Sequence, residues 1–336
     1  MKVLVAGATG ALGKQLVPRL AAAGYDVVGL ARTPAKRELV RELGATPAVA
    51  DALDPEAVAR AVAEAEPEAI VHQLTALTGS LGERNLDRGF VLTNRLRGEG
   101  TDHLLAAGRA VGVRRFVAQS YAGWPYARIG GPVKGEHDPL DESPATSMRE
   151  TLAAIRHLEE AVLGADWTEG IVLRYGGFYG PGTSFEPGAE HFELLRKRRF
   201  PIVGDGAGVW SFVHIEDAAD ATVAALERGR RGIYNVVDDE PAAVAEWLPA
   251  AADAIGAKSP RRVPLWVGRL LAGEAAAVMM TSVRGASNEK AKRELGWRPS
   301  HPSWRDGFRE VASESGTSAG DSPPVPAMAG NKGLSP

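Results

Sequence analysis

The stretch Gly7-Ala8-Thr9-Gly10-Ala11-Leu12-Gly13 decides the fold of this chain. It lies between a Val-rich run, Lys2–Ala6, and a stretch of helical periodicity, Ala11–Ala23. The run reads as a buried parallel strand, and the stretch as a helix ended near Gly24. One glycine permits the tight turn between them, another lets the backbone approach a ligand, and the last brings helix and strand close. The helix start then presents free N–H groups and the positive end of its dipole, which suit a phosphate. Strand, turn and helix in this order are the context that makes a glycine spacing a dinucleotide-binding signal. Gly7, Thr9, Gly10, Ala11, Leu12 and Gly13 are the expected cofactor contacts of this turn.

The same alternation continues downstream. Asp26–Leu30, Ala48–Ala50, Ala69–His72, Arg115–Gln119 and Ile171–Arg174 read as strands, with helical stretches at Pro34–Leu43, Pro55–Ala65 and Gly100–Val111. This order predicts an α/β fold, a Rossmann-type doubly wound parallel sheet. Glycines and prolines crowd the chain from Gly176 to Gly188 and mark an irregular connection. Short strands at Ser211–Ile215 and Ile233–Val237 and helices at Glu216–Arg228 and Ala243–Ile255 follow. The expected division is a dinucleotide-binding domain over 1–175 plus about 211–228, and a smaller C-terminal α/β substrate lobe over about 176–210 and 229–312. Residues 313–336, mostly Ser, Gly, Pro and Ala, are expected to form a disordered tail.

The 336 residues suffice for such a domain and lobe. A formal net charge of −3 offers no field that favours nucleic acid or an anionic membrane. The absence of cysteine removes disulfides, thiolate metal ligands and a Cys nucleophile, and it suits a reducing cytoplasm. The nearest approach to a membrane span, Leu265–Met280, carries Arg269 and Glu274. It reads instead as a helix lining a substrate pocket or packing in the core. The expected partner is a small-molecule substrate, with no nucleic acid, no membrane and no metal.

The second strand ends at Gly29-Leu30-Ala31-Arg32. No carboxylate stands there to grip a ribose 2′-hydroxyl. Arg32 does, with Lys36 and Arg37 one turn on. A planar, permanently charged guanidinium suits a 2′-phosphate, so NADP is expected over NAD.

At this point the chain resembles the extended, epimerase/dehydratase-like branch of the short-chain dehydrogenase/reductase superfamily. The resemblance runs from Met1 to about Arg309. It rests on the glycine turn, on Asp51-Ala52 at the adenine-contacting Asp, and on His72-Gln73-Leu74-Thr75-Ala76 beside the cofactor. Asn94 and Gly100-Thr101 fall in an Asn…Gly-Thr helix pattern. Ser120, after Arg115-Phe116-Val117, stands at the catalytic serine position, and Tyr175-Gly176 in the nicotinamide-side loop. Phe212-Val213-His214-Ile215-Glu216-Asp217 and Leu295-Gly296-Trp297-Arg298-Pro299 match C-terminal signatures. The resemblance implies cofactor contacts at Asp51, Ala52, Leu74, Thr75, Ala76, Asn94, Tyr175 and Gly176, an oxidoreductase or epimerase activity, and commonly a homodimer.

One departure bears on the chemistry. The family's acid/base pair is Tyr-x-x-x-Lys on one helix, whose Tyr moves the substrate's hydroxyl proton. None of the six tyrosines here has a Lys four residues later. The expected helix, Arg149–Leu163, holds neither residue type; its two positions are Thr151 and Ile155 in one register, Leu152 and Arg156 in the other. Ser120 and Tyr121, just past a strand's carboxyl end, are the candidate catalytic residues, with Tyr126, Lys134, His137 and Tyr175 in reserve. His72 and His214 read as structural, and Trp210, Trp247, Trp266, Trp297 and Trp304 as core. Three functions stay open. The chain is an NADP-dependent oxidoreductase or epimerase acting on a small hydroxyl or carbonyl compound with an altered proton donor, a non-redox enzyme (cyclase, isomerase or lyase) that keeps the cofactor structurally, or a catalytically silent cofactor binder.

Overall fold

Apolar runs with few side-chain charges form the strands of the protein because both faces of its sheet are covered by helices. The computed structural model describes residues 1–77 and 85–318. Five strands, β1 (Lys2–Ala6), β2 (Asp26–Ala31), β3 (Thr46–Val49), β4 (Ala69–His72) and β5 (Arg115–Tyr121), join those at Glu169–Tyr175 and Gly232–Val236. The sheet has seven strands in the order Gly232–Val236, Glu169–Tyr175, β5, β4, β1, β2, β3. Every neighbouring pair is parallel. Chain order reverses between β1 and β4, which opens a crevice at the carboxyl ends of the strands there.

The helices are α1 (Ala11–Ala22), α2 (Arg37–Glu42), α3 (Pro55–Ala65), α4 (Leu86–Gly89), α5 (Val91–Arg97), α6 (Glu99–Val111), α7 (Arg149–Gly164), α8 (Glu190–Arg196), α9 (Ile215–Arg228), α10 (Val244–Ala254), α11 (Leu265–Thr281), α12 (Glu289–Leu295) and α13 (Trp304–Ser318). Asp54 starts α3 by accepting from the N–H groups of Glu56 and Ala57, with Pro55 at the first position. Strand alternation splits the core in two. Val3, Val5, Val117 and Leu173 pack with α1 and α9, while Leu4, Ala6, Phe116 and Val172 pack with α3, α6 and α7.

The boundary expected near residue 229 is corrected. Gly232–Val236 is the edge strand of the main sheet, paired with Glu169–Tyr175, and does not belong to the lobe. Its Tyr234 and Val236, with Ala291, Leu295 and Trp297, fill the α1/α9 face. The lobe's own core is aromatic, with Phe185, Phe192, Phe212, Trp247, Trp304 and Phe308 packed edge-on and stacked. Two further differences concern its surface. Trp266 is 69% exposed rather than core, beside exposed Leu270 and Leu271. Helix α11 also breaks at Gly273 (φ 87°); its first half packs inward through Leu265 and Gly268 but leaves Trp266, Leu270 and Leu271 outside. The tail expected from Ser313 continues α13 to Ser318, and the rest of it lies outside the described residues. Among the described residues no helix is long and apolar enough to cross a membrane.

Candidate functional site

The glycine turn sits where the sequence puts it, at the carboxyl end of β1. Gly7 has φ +97°, and a Cβ there would lie 2.7 Å from the carbonyl oxygen of Gln73. A Cβ on Gly13 would lie 2.2 Å from the Gly7 carbonyl oxygen. Only glycine allows this approach. Helix α1 starts with no side-chain cap and no acidic residue in its first turn. Its first N–H groups are therefore left for an anion. The cradle fits a dinucleotide pyrophosphate.

The other expected cofactor residues fall along the same edge. Arg32 follows β2 and is exposed; Asp51-Ala52 follows β3; Leu74, Thr75 and Ala76 follow β4. Asp51 accepts from the N–H of Leu53, and the Ala76 N–H donates to Thr93 Oγ1. Asn94 on α5 donates from Nδ2 to Thr151 Oγ1 at 3.1 Å, and its Oδ1 is buried without a partner. Gly176 is pressed on the Ser211 carbonyl, where a Cβ would lie 2.7 Å away. Tyr175 departs from expectation. Its ring is fully buried in the α1/α9 core, and its phenol meets Thr222 Oγ1 at 2.7 Å and Gln73 Nε2 at 3.3 Å. Its side chain faces away from the crevice, and burial raises its pKa.

The two candidate catalytic residues point opposite ways, as neighbours on a strand must. Ser120 faces α7 and donates to Glu159 Oε1 at 2.6 Å. Arg174 holds the same carboxylate with Nε at 2.7 Å and Nη2 at 2.5 Å. Its Nη1 reaches the Tyr126 oxygen at 3.1 Å, and that phenol donates to Asn235 Oδ1 at 2.6 Å. The network is buried and satisfied, which fits a structural lock between β5, α7 and the next strand. It occupies Ser120 and Tyr126 alike. Lys134 is also held, by the Ile129 carbonyl at 2.5 Å and Asp138 at 3.3 Å.

Tyr121 remains. No described residue hydrogen-bonds its phenol, and it lines a cleft with Trp124, Trp210, Met279 and Val283. Trp210 is fixed there by its indole N–H on the Met279 carbonyl at 2.8 Å. Burial pushes the Tyr121 pKa up to about 12, against a smaller opposite pull from Arg97. The phenol is a donor at neutral pH and a poor acid.

Helix α7 carries the residues of both registers. Thr151 is fully buried; its N–H and Oγ1 donate to Asp87 Oδ1 at 2.8 and 2.7 Å, and its oxygen accepts from Asn94. Ile155 is buried one turn on, toward Glu159. Arg156 turns outward to the Asp141 carbonyl. Thr151, Leu152 and Ile155 are all buried on α7, and none of them offers a phenol or an ammonium. Two residues that sequence reasoning misses are Asp87 and Arg97. Asp87 caps α7 from a neighbouring element; Arg97 lies three residues after Asn94, on the same face of α5.

The expected structural histidines behave as such. His72 Nδ1 accepts from the Leu74 N–H at 3.2 Å, and its Nε2 lies 3.0 Å from Thr101 Oγ1. His214 stacks on His301 with centroids 3.8 Å apart. With Asp217 these two form a group of metal-ligand type. Both Asp217 oxygens already accept, from the N–H groups of Ser300 and His301 and from His301 Nδ1.

A model described as the NAD dependent epimerase/dehydratase family matches residues 3–237. A 3-diazoavenalumate denitrifying reductase from a Streptomyces species is 44% identical over 309 residues, 92% of this chain and 99% of that protein. A UDP-glucose 4-epimerase from Rhizobium leguminosarum bv. trifolii is 28% identical, with 89% and 93% covered. Among solved structures, the Thermus thermophilus UDP-glucose 4-epimerase complex with NAD superposes with TM-score 0.71 at 29% identity, covering 93% of this chain and 98% of that one. A human epimerase family protein with NADPH has TM-score 0.70 at 21% identity, covering 93% and 99%.

Proposed function

The chain belongs to the NAD dependent epimerase/dehydratase family, as an oxidoreductase or epimerase-like enzyme with a nicotinamide dinucleotide cofactor, and from that premise we propose that it is an NADPH-dependent reductase of a small diazo-bearing aromatic acid. The observation that carries this reading is the aromatic and thioether cleft around Tyr121, whose buried phenol is a poor acid. Ser120 and Tyr126 are locked in the Glu159–Arg174 network, Tyr175 is core, and Thr151 and Ile155 on α7 are buried and offer no phenol.

Reduction of a carbonyl leaves an alkoxide that needs a proton in the transition state, a contribution on the order of 10²–10⁴-fold. Reductive loss of dinitrogen has no such need. A bound dihydronicotinamide supplies a hydride. When an arenediazonium accepts it, a C–H bond forms, the C–N bond breaks and N₂ leaves. The substrate gains the two electrons that the cofactor loses, and no alkoxide forms at the reacting carbon. The relative at 44% identity is named for a denitrifying reduction of a diazo acid. The aromatic and thioether walls of the cleft, Trp124, Trp210 and Met279, suit a flat ring.

Roles follow from position. Gly7, Thr9, Gly10, Ala11, Leu12 and Gly13 hold the pyrophosphate, and Arg32 the 2′-phosphate. Asp51 and Ala52 flank the adenine side; Leu74, Thr75, Ala76, Asn94 and the backbone of Gly176 line the path to the nicotinamide. Tyr121 orients the substrate as a hydrogen-bond donor, and Ser120 holds the end of β5 in place.

The test uses diazotised 3-amino-4-hydroxycinnamic acid with NADPH, following N₂ and NADPH together against heat-inactivated enzyme. One N₂ per NADPH oxidised is expected. Oxidation of NADPH by ketones or aldehydes at comparable rates, with no N₂ from the diazo acid, overturns the reading in favour of carbonyl reduction.

A further inference from the structure

Arg97 ends α5 and is only 5% exposed. No hydrogen bond from its guanidinium is found among the described residues, and Nη1 is wholly buried without a partner. Its surroundings do not neutralise it. Glu159 lies within electrostatic reach, but its carboxylate is engaged by both Nε and Nη2 of Arg174 and by Ser120. His72 is held neutral by burial, with its pKa down at about 4. Tyr121, the other group that feels Arg97, keeps its proton. Arg97, Glu159 and Arg174 therefore leave one positive charge uncompensated in a buried place.

An unpaired buried ion costs several kcal/mol even after relaxation. Burial, opposed by Tyr121 and Glu159, pulls the Arg97 pKa down to about 10. Such a cation is stable only with an anion beside it. The cofactor's phosphates do not supply that anion. They belong at the β1 turn, whereas Arg97 lies between the ends of β4 and β5 and helix α7, near Tyr121.

We propose that Arg97 is the anion anchor of the substrate site, pairing through its planar fork with the carboxylate of an aromatic acid whose ring lies between Tyr121, Trp124 and Trp210. A guanidinium matches a carboxylate in two parallel hydrogen bonds, which also fixes the direction in which the ring points. The positive charge enters from α5, while α7, where the family resemblance implies a lysine, has none. The inference deepens the function proposed above and rests on it only for the identity of the reacting group.

The experiment needs no turnover. Binding of trans-cinnamate and of its neutral amide, cinnamamide, is measured by calorimetry on the NADPH-loaded protein. Wild type is expected to bind the acid ten- to a hundredfold more tightly, the range that a charge-assisted hydrogen bond carries. Arg97→Gln is expected to abolish that preference, and Arg97→Lys to keep part of it. NADPH affinity, read from its fluorescence, is expected to stay within about threefold of wild type in both variants. Equal binding of acid and amide by wild type overturns the anchor without requiring any variant to fold. A preference for the acid that survives in Arg97→Gln overturns it too. The outcomes separate from those of the function. Arg97-dependent acid binding with no N₂ release sinks denitrification and keeps the anchor, and N₂ release with Arg97-independent binding does the reverse.

Discussion

Ser120 donates its hydroxyl to Glu159 at 2.6 Å, on the side of β5 away from the cleft. That bond makes the residue at the expected catalytic position a strut. Ser120→Ala removes one of three donors from a carboxylate that Arg174 still holds twice. A loss of about 1–2 kcal/mol of stability is expected, read as a lower urea midpoint, with turnover within about tenfold of wild type. A hundredfold or greater fall in turnover at unchanged fold would return Ser120 to the chemistry.

The Glu159–Arg174 pair itself carries a larger effect. Their side chains are 6% and 4% exposed. Arg174→Met strands a buried carboxylate and is expected to destabilise the protein by about 3–5 kcal/mol. Adding Glu159→Leu removes the stranded charge, so the double variant is expected to recover part of the loss in the same thermal melts. A double variant worse than Arg174→Met would mean that packing, not charge, governs the site.

Arg32 stands exposed just past β2, on the strand beside the glycine turn. Arg32→Ala is expected to weaken NADPH about ten- to a hundredfold and NADH by less than about threefold. Fluorescence titration with both nucleotides reads the ratio. Equal weakening would assign the 2′-phosphate to Lys36, Arg37 or neither.

Acid should unfold this protein through His72. Leu74 N–H points at Nδ1, so protonation there sets two donors against each other. Burial, opposed by one backbone contact and helped by the Arg97 charge, holds the folded pKa at about 4, below the ordinary histidine value of 6.5. Between those values the unfolded chain binds the extra proton. Stability is therefore fully present above about pH 6.5 and falls as pH drops toward 4, flattening below it. The difference between the two values corresponds to something on the order of 3 kcal/mol. His72→Gln should flatten the urea-midpoint curve in that window by about one proton's worth of slope, leaving the contributions of His191, whose pKa burial lowers to about 3, and of His214, whose pKa burial and His301 also lower. An unchanged slope would place the acid sensitivity elsewhere.

Most strands are legible in the sequence because their signals are local. Lys2–Ala6, Pro55–Ala65 and Ala69–His72 lie where apolar runs and Gly/Pro punctuation put them. Gly232–Val236 reads as lobe because sheet membership is a non-local pairing, here across the helix and loops that follow Tyr175. Ser120 and Tyr121 are legible as a pair at a strand end, but not which one faces the cleft. One residue of register reverses that answer. Arg97 escapes a sequence reading because a charge on a short helix looks like a solvated face. Only the packing of α5 on α7, with Asn94 on Thr151, turns that face inward. Trp266 errs in the opposite sense, since α11 leaves it outside with Leu270 and Leu271.

Arg97 also predicts a trade between stability and function. Its guanidinium is largely buried, makes no hydrogen bond among the described residues, and has Nη1 wholly enclosed. Arg97→Met keeps much of the side-chain length and removes the charge, so it should raise the stability of the ligand-free protein by at least about 1 kcal/mol. The same variant should lose the added stabilisation that wild type gains from saturating cinnamate, because a ligand stabilises only through the state it binds. Thermal melts with and without cinnamate read both effects on one sample. A ligand-free melting temperature at or below that of wild type would mean that the guanidinium's contacts already offset its burial. The strain invoked for the anchor would then not exist.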